Sequence, residues 1–292
     1  MSKVAVAADS NSGISTEQAE KLGIFLLPMS FTVNGRVYYE GIDLTQESFF
    51  KKLEDKDTRV STSQPSPGEV ERLWNKILRT YDSLVYIPMS SGLSASCETA
   101  KALAEKYDGR VQVVDNHRIS VTQYQSVLDA IALSEAGYTA SQIRERLEQE
   151  AFESSIYIMV DTLKFLKQGG RITPAAAMIG SVLHLKPVLQ IQGDKLDSYA
   201  KCRGEKIARR TMLDAIQKDR RERFAEYDAK GELVYHYSWS HSDNPENIED
   251  WKQEICQEFG LDRIEGTPLS LSVCCHIGPG ALAVTCSHIV KP

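Results

Sequence analysis

The side chains that could do chemistry in this sequence fall into four short stretches. Two are hydroxyl-rich turns, Ser61-Thr62-Ser63-Gln64-Pro65-Ser66 and Ser90-Ser91-Gly92-Leu93-Ser94. Each sits just before a predicted helix, where unpaired backbone N–H groups point outward and attract anions. Together they could hold a small anionic head group such as a carboxylate. Serine also caps helices with no ligand in view, so either turn alone is open to that simpler reading. The third stretch is Val273-Cys274-Cys275-His276-Ile277-Gly278-Pro279-Gly280, read as an apolar strand ending in a histidine beside a tight turn. Such a histidine can face a cleft and help hold an anion, or can simply be packed. The fourth is Gly169-Gly170-Arg171-Ile172 followed by Pro174 to Met178. Two glycines end a helix there and leave Arg171 exposed, and the small side chains beyond leave room for an apolar ligand or for close helix packing.

Several chemistries lack their signatures. No GxGxxG follows the first strand and no GxxxxGK[ST] is present, so no nucleotide phosphate cradle is recognisable. No HExxH or EF-hand loop points to a metal. The net charge of -6 and the absence of an unbroken basic run argue against a nucleic-acid binder. The basic stretch from Lys206 to Arg223 is interrupted by acids and reads as a solvated helix face. Six scattered cysteines give neither a disulfide framework nor a CxxC pair, which fits a reducing cytoplasm. The opening residues do not form a signal peptide, and no run approaches the ~20 apolar residues of a membrane span.

The elements that must position these stretches follow from periodicity. Of 292 residues, 42% are hydrophobic, enough for a sizeable core in two domains or one large one. Lys3–Ala8 predicts a buried parallel strand, Phe25–Val33 a second apolar run, and Asn34-Gly35 a hairpin. Ser66-Pro67-Gly68-Glu69 is a capping box with proline at the first helical position. Leu84–Met89 and Val111–Asp115 predict strands alternating with helices. The pattern is α/β, a mostly parallel N-terminal sheet with helices on both faces. The texture changes near residue 155, predicting an N-terminal α/β domain over 1–160 and a second α/β domain over 161–292. In the latter, Pro174–Leu185 predicts a small-residue helix, Gln192-Gly193-Asp194 a hairpin, Glu205–Tyr227 a long charged helix, Pro245–Phe259 a helix, and Leu269–Cys275 and Ala281–Ile289 strands.

Nine stretches in order resemble the DegV family. They are Ala8-Asp9-Ser10-Asn11-Ser12, Gly41-Ile42-Asp43, Thr62 to Gly68, Ser90 to Ser94, Asp161 to Leu166, Gly169 to Ile172, Leu185 to Leu189, Lys201-Cys202-Arg203 and His276 to Gly280. The resemblance implies a two-domain fold with one long-chain fatty acid, such as palmitate, stearate or oleate, between the domains and no cofactor. It implies a tail in an apolar tunnel and a carboxylate held by Thr62 and Ser94, with Ser91 as a further donor and His276 close by. It implies a cytoplasmic carrier without chemistry of its own. The partner would be a separate ATP-binding fatty acid kinase subunit that makes an acyl phosphate for phospholipid synthesis, with Arg171 and Arg203 as surface contacts. Burying about 14 methylenes is worth up to ~11 kcal/mol, so neutral hydroxyls suffice to orient the head group. The sequence departs from the family at Ala95-Ser96-Cys97, where Gly-Thr-Tyr is common, and at Cys274-Cys275.

Two other readings stay open on the residues alone. Gly92-Leu93-Ser94-Ala95-Ser96 narrowly misses the GxSxG nucleophile elbow, and Ser94, Asp115 or Asp161, and His276 follow the Ser…Asp…His order of a serine esterase. Its last residue is Ser96 rather than glycine, and no HGGG-type oxyanion motif is present. The other is a protein-interaction module with an empty cleft.

Overall fold

In the computed structural model, residues 3–178, 185–193, 195–240 and 245–292 are described. The apolar run after Lys3 forms β1 (Val4–Asp9), buried from Ala5 onward. It is followed by α1 (Thr16–Leu22), β2 (Phe25–Leu27), β3 (Ser30–Val33), β4 (Arg36–Tyr39), α2 (Gln46–Leu53) and β5 (Val60–Thr62). Then come α3 (Pro67–Ile77), β6 (Ser83–Ile87), α4 (Ser96–Ala104), β7 (Val111–Val113), α5 (Val121–Glu135) and α6 (Ala140–Gln149). Strands β2-β1-β6-β7 form an all-parallel sheet. Alternation sends Val6, Ala8, Val85 and Ile87 against α5 and α6, and Ala5, Ala7, Leu84 and Tyr86 against α3 and α4. Both faces are therefore covered, as the unbroken apolar strands require.

The single run predicted over Phe25–Val33 is two strands in two sheets. Pro28, which has no N–H to give a ladder, stands between them. Leu27 pairs with Asp9 in the parallel sheet, while β3 centres a separate antiparallel sheet in the order β4-β3-β5. The Asn34-Gly35 hairpin forms as expected, with φ of 50° and 81° at its two turn residues.

The rest of the chain gives β8 (Ser154–Met159), α7 (Lys164–Gly169), α8 (Pro174–Ala177), β9 (Leu185–Ile191), β10 (Asp197–Arg203), α9 (Glu205–Glu222) and α10 (Ala225–Ala229). It closes with β11 (Leu233–Trp239), α11 (Pro245–Phe259), β12 (Glu265–Pro268), α12 (Leu271–Ile277) and β13 (Leu282–His288). The sheet order is β10-β9-β8-β13-β11-β12, with only the β11/β12 pair parallel. Strand β8 lies in this sheet, so strand membership changes ahead of Ser154.

The strand predicted over Leu269–Cys275 is instead α12. Ser270 caps it by accepting the Val273 N–H, which turns an apolar run into a helix. The preceding edge strand β12, ending in Pro268, was not anticipated. The long helix over Glu205–Tyr227 breaks after Glu222 into α9 and α10. The helix predicted over Pro174–Leu185 is seen only as α8. Residues 179–184 lie outside the described ones, and Leu185 already opens β9. The β9–β10 hairpin is antiparallel as predicted; its turn residue Asp194 is also outside the described residues.

Each face of the six-stranded sheet has a different neighbour. Tyr157, Met159, Val188, Val284 and Cys286 pack against α9 and Trp251 of α11. Ile156, Ile158, Leu189, Ile191 and Ala283 point the other way, into a cluster with Phe31, Phe49, Leu166 and Ile277. The second face lines a cleft. All six cysteines are free, and no described helix is long and apolar enough to cross a membrane.

Candidate functional site

The cleft is a cavity. Counting its open mouth it holds about 840 Å³ of empty space. A space of this size is in the usual range for a small-molecule site. Its walls are mostly apolar, from Leu93, Ile156, Ile158, Leu166, Ile191 and Ile277 among others. Polar groups gather at its two ends.

At one end stand Thr62, Ser94, Arg171 and His276. Thr62 ends β5, and its Oγ1 lies 2.8 Å from His276 Nε2 in the last turn of α12. The ring reaches that place because residue 169 has no side chain: a Cβ on Gly169 would overlap His276 Nδ1. Burial, with the nearby Arg171 charge adding to it, pushes the imidazole down to about 4, so His276 is neutral near pH 7. Its Nδ1 is buried without a partner. A neutral ring that carries its proton on Nε2 donates to Thr62 Oγ1, which leaves the threonine proton free for an incoming oxygen.

Ser94 ends the turn between β6 and α4. Its N–H donates to Ser90 O at 3.2 Å, and its Oγ accepts the Ser96 N–H at 3.2 Å, leaving the hydroxyl proton unspent. This bond caps α4, whose N-cap Ala95 has no side chain to do so. Ser90, which sequence reasoning gave no role, is buried and ties the turn to the far hairpin through a 2.7 Å bond to Gly193 O. Ser91 was expected to hold the head group as well. It does not line the cavity, and its N–H points to Asp115 Oδ1 at 3.4 Å.

Arg171 is corrected too. It was expected to be exposed, but it is half-buried and lines the cavity. Two backbone carbonyls hold the guanidinium, Leu93 O at 3.2 Å from Nε and Gly169 O at 2.5 Å from Nη1. Arg203 does end its strand exposed, away from the cavity lining.

The other end of the cavity carries Asn11, Ser120, Ser238, Ser272 and Thr285, all missed from sequence. They come from five separate segments; Asn11 lies in the first of the nine stretches, which pointed to no role for it, and the other four belong to none. Asp9 sets this end in place. Its fully buried carboxyl accepts N–H bonds from Met89, Asn11 and the Gln123 side chain, at 2.8, 3.0 and 3.0 Å. Burial raises it to about 6 despite those bonds. Glu40 accepts the Ser272 N–H at 3.1 Å at the start of α12, where the helix dipole favours a carboxylate; burial raises it to about 7.

An esterase geometry is not assembled. His276 Nε2 is spent on Thr62, and among the described residues no carboxylate meets Nδ1. Asp115 pairs with Lys101 at 3.0 Å and Asp161 with Lys186 at 2.5 Å. Cys97, Glu98 and Asp115 bring possible metal-ligand atoms within 4.8 Å of one another. Lys101 holds both carboxylates, and burial pushes the thiol up to about 12, so the group is an ion-pair cluster.

The family model described as uncharacterised protein, DegV family, matches residues 3–288. A DegV domain-containing protein of Listeria innocua is 29% identical over 287 residues, 98% of both chains. One of Deinococcus radiodurans is 31% identical over 215 residues, 74% of this chain and 76% of that one. A solved DegV family protein from Thermus thermophilus, described by its fatty acid binding, has a TM-score of 0.85 at 27% identity, over 98% of this chain and 99% of that one. DegV of Bacillus subtilis, described as a fatty acid binding protein, has a TM-score of 0.81 at 26% identity, over 99% of this chain and 100% of that one.

Proposed function

The chain belongs to the DegV family, and from that membership we propose that it carries one long-chain fatty acid, such as palmitate, stearate or oleate, in the cleft described above. The acyl chain lies along Ile156, Ile158 and Leu166, and the carboxylate meets Thr62 and Ser94 at the mouth. The observation that carries this reading is the pairing of Thr62 with a neutral His276 at the end of an apolar cavity. The pairing orients one hydroxyl proton toward the head group, and the unspent Ser94 proton supplies a second. Neutral donors hold a carboxylate without trapping it, since each such bond contributes about 0.5–1.5 kcal/mol, or up to ~3 when the head group is charged. Fatty acid binding by the Thermus and Bacillus relatives supports carrying the ligand class to this chain.

The division between the two halves falls ahead of Ser154 on this reading, close to the 1–160 and 161–292 partition, and the ligand lies between them. The protein performs no chemistry alone. It presents the carboxylate to an ATP-dependent kinase that forms the acyl phosphate, within fatty acid metabolism in the cytoplasm. Exposed Arg203 is the docking contact. Arg171, tied beside the mouth, faces the carboxylate as it is phosphorylated.

Native mass spectrometry of protein purified from lipid-rich cells tests the carrier reading. The expected result is one fatty acid mass per chain; a bare chain mass would overturn it. Acyl-phosphate formation with a kinase of this type tests the second step. Arg203→Ala should keep its ligand and lose phosphorylation, more severely at high salt.

A further inference from the structure

The cavity mouth accounts for a carboxylate and the apolar walls for a methylene chain. The inner end matches neither. On the cleft face of the six-stranded sheet, β8 and β9 contribute Ile156, Ile158 and Ile191. The neighbouring strands contribute Thr285, opposite Ile156, and Ser238, opposite Ala283. Ser120 lines the same space. It is 6% exposed, and its Oγ has no hydrogen-bond partner. Its φ of 55° is uncommon for a residue with a side chain, and its N–H is tied to Asn11 O at 3.0 Å. Asn11 Oδ1 accepts from Ser272 Oγ at 2.6 Å, while its Nδ2 donates to the Met89 sulfur, a weak acceptor. Thr285 Oγ1 donates to His236 O at a long 3.4 Å. A plain acyl tail would therefore leave the Ser120 hydroxyl buried and unused and Asn11 Nδ2 on its weak acceptor, which is costly. The carboxylate cannot use both ends at once, because Ser272 and His276 stand four residues apart on α12, about 6 Å along its axis.

We propose that the inner end is a second polar subsite, one that takes an oxygen borne on the acyl chain itself. The preferred cargo is then a long-chain fatty acid with a hydroxyl or keto group along the chain. Ser120 Oγ and Asn11 Nδ2 donate to that oxygen, and Thr285 flanks it. This proposal rests on the fatty-acid reading above and narrows its ligand class.

The test is competitive binding to delipidated full-length protein, using stearic, 10-hydroxystearic and 12-hydroxystearic acids. At least one hydroxy acid should bind roughly three- to tenfold more tightly than stearic acid, the worth of one or two neutral hydrogen bonds. Ser120→Ala and Thr285→Val, the latter nearly unchanged in shape, should each bring that ratio towards one. Stearic acid equal to or tighter than both hydroxy acids would overturn the subsite and assign the inner end to ordered water, with the carrier reading intact. A hydroxy-acid preference that survives in both variants would also overturn it. If none of the three acids binds, the fatty-acid reading itself fails.

Discussion

The two faces of the six-stranded sheet are made by the same strands and treat polar groups in opposite ways. On the face toward α9, Asp219 Oδ2 accepts from both Ser155 Oγ at 2.6 Å and Tyr157 OH at 2.8 Å, and Trp251 Nε1 donates to Ala283 O at 3.1 Å. On the cleft side, His236 Nδ1, Ser287 Oγ and Ser120 Oγ are buried without partners, and so is His276 Nδ1 at the mouth. A buried polar atom left unpaired is unfavourable wherever it occurs. Arg209 Nε on the α9 side is unpartnered as well, and of the cleft-side groups only Ser120 and His276 line the cavity. The contrast narrows to these two groups, which a guest could reach.

Substitutions can break or sharpen that contrast. The largest effect belongs to the closed face: Trp251→Ala should lower unfolding stability by about 3–5 kcal/mol in urea titration. A loss below 1 kcal/mol would mean that this face is not the structural one.

Next in size is a pH effect centred on His276. Its folded value lies near 4, below the ordinary 6.5, so the unfolded chain takes up a proton that the folded chain refuses. Stability is therefore lost as pH falls from about 6.5 toward 4, by on the order of 3 kcal/mol. Asp9 and Glu40, raised to about 6 and about 7, act with the opposite sign: their contribution is present at low pH and lost as pH rises through those values. The informative quantity is thus the difference between the wild type and His276→Gln, measured by denaturation from pH 7 to pH 4. A difference that stays constant over that range would remove the buried neutral histidine from the account.

On the cleft side, Gly169→Ala should cost about 1–3 kcal/mol, because the new methyl must push His276 aside. It should also strip bound lipid, which mass spectrometry of the same preparation would register. The smallest effects belong to the hydroxyls. Thr62→Val and Ser94→Ala should each weaken fatty acid binding by about 0.5–1.5 kcal/mol, or up to ~3 with a charged carboxylate. Each should also lower stability by about 1 kcal/mol, since one strands His276 Nε2 and the other uncaps α4. Equal affinity in both variants would move the head group elsewhere.

The sequence spoke clearly where one local signal decides the outcome. The capping box at Ser66, the Asn34-Gly35 hairpin and helix Pro245–Phe259 all form where their residues call for them. It misled where local signals compete. Leu269–Cys275 is apolar and short enough for a strand, and only the Ser270 cap and the Glu40 carboxylate, brought from a distant segment, favour a helix there. Thr62, Ser94 and His276 could be read because each sits in a distinctive turn or chain end. Ser238 and Thr285 could not, because strand alternation and strand order place them. Nor could Asn11 and Ser120, which two distant turns bring together through the Ser120 N–H bond to Asn11 O. Arg171 was misplaced because a long cation after two glycines looks solvent-bound, whereas here two carbonyls tether it.

The cavity wall is continuous with the cluster that joins Phe31 and Phe49 to Ile158 and Leu166. A guest in the cavity would complete that cluster and be counted by the fold as part of itself. Binding confined to the folded state adds about 2.7 kcal/mol at a free ligand concentration one hundred times Kd. A carrier of this design would resist proteolysis when lipid is plentiful and be cleared when it is scarce. Its abundance in the cell would then serve as a running record of supply, with no dedicated sensor.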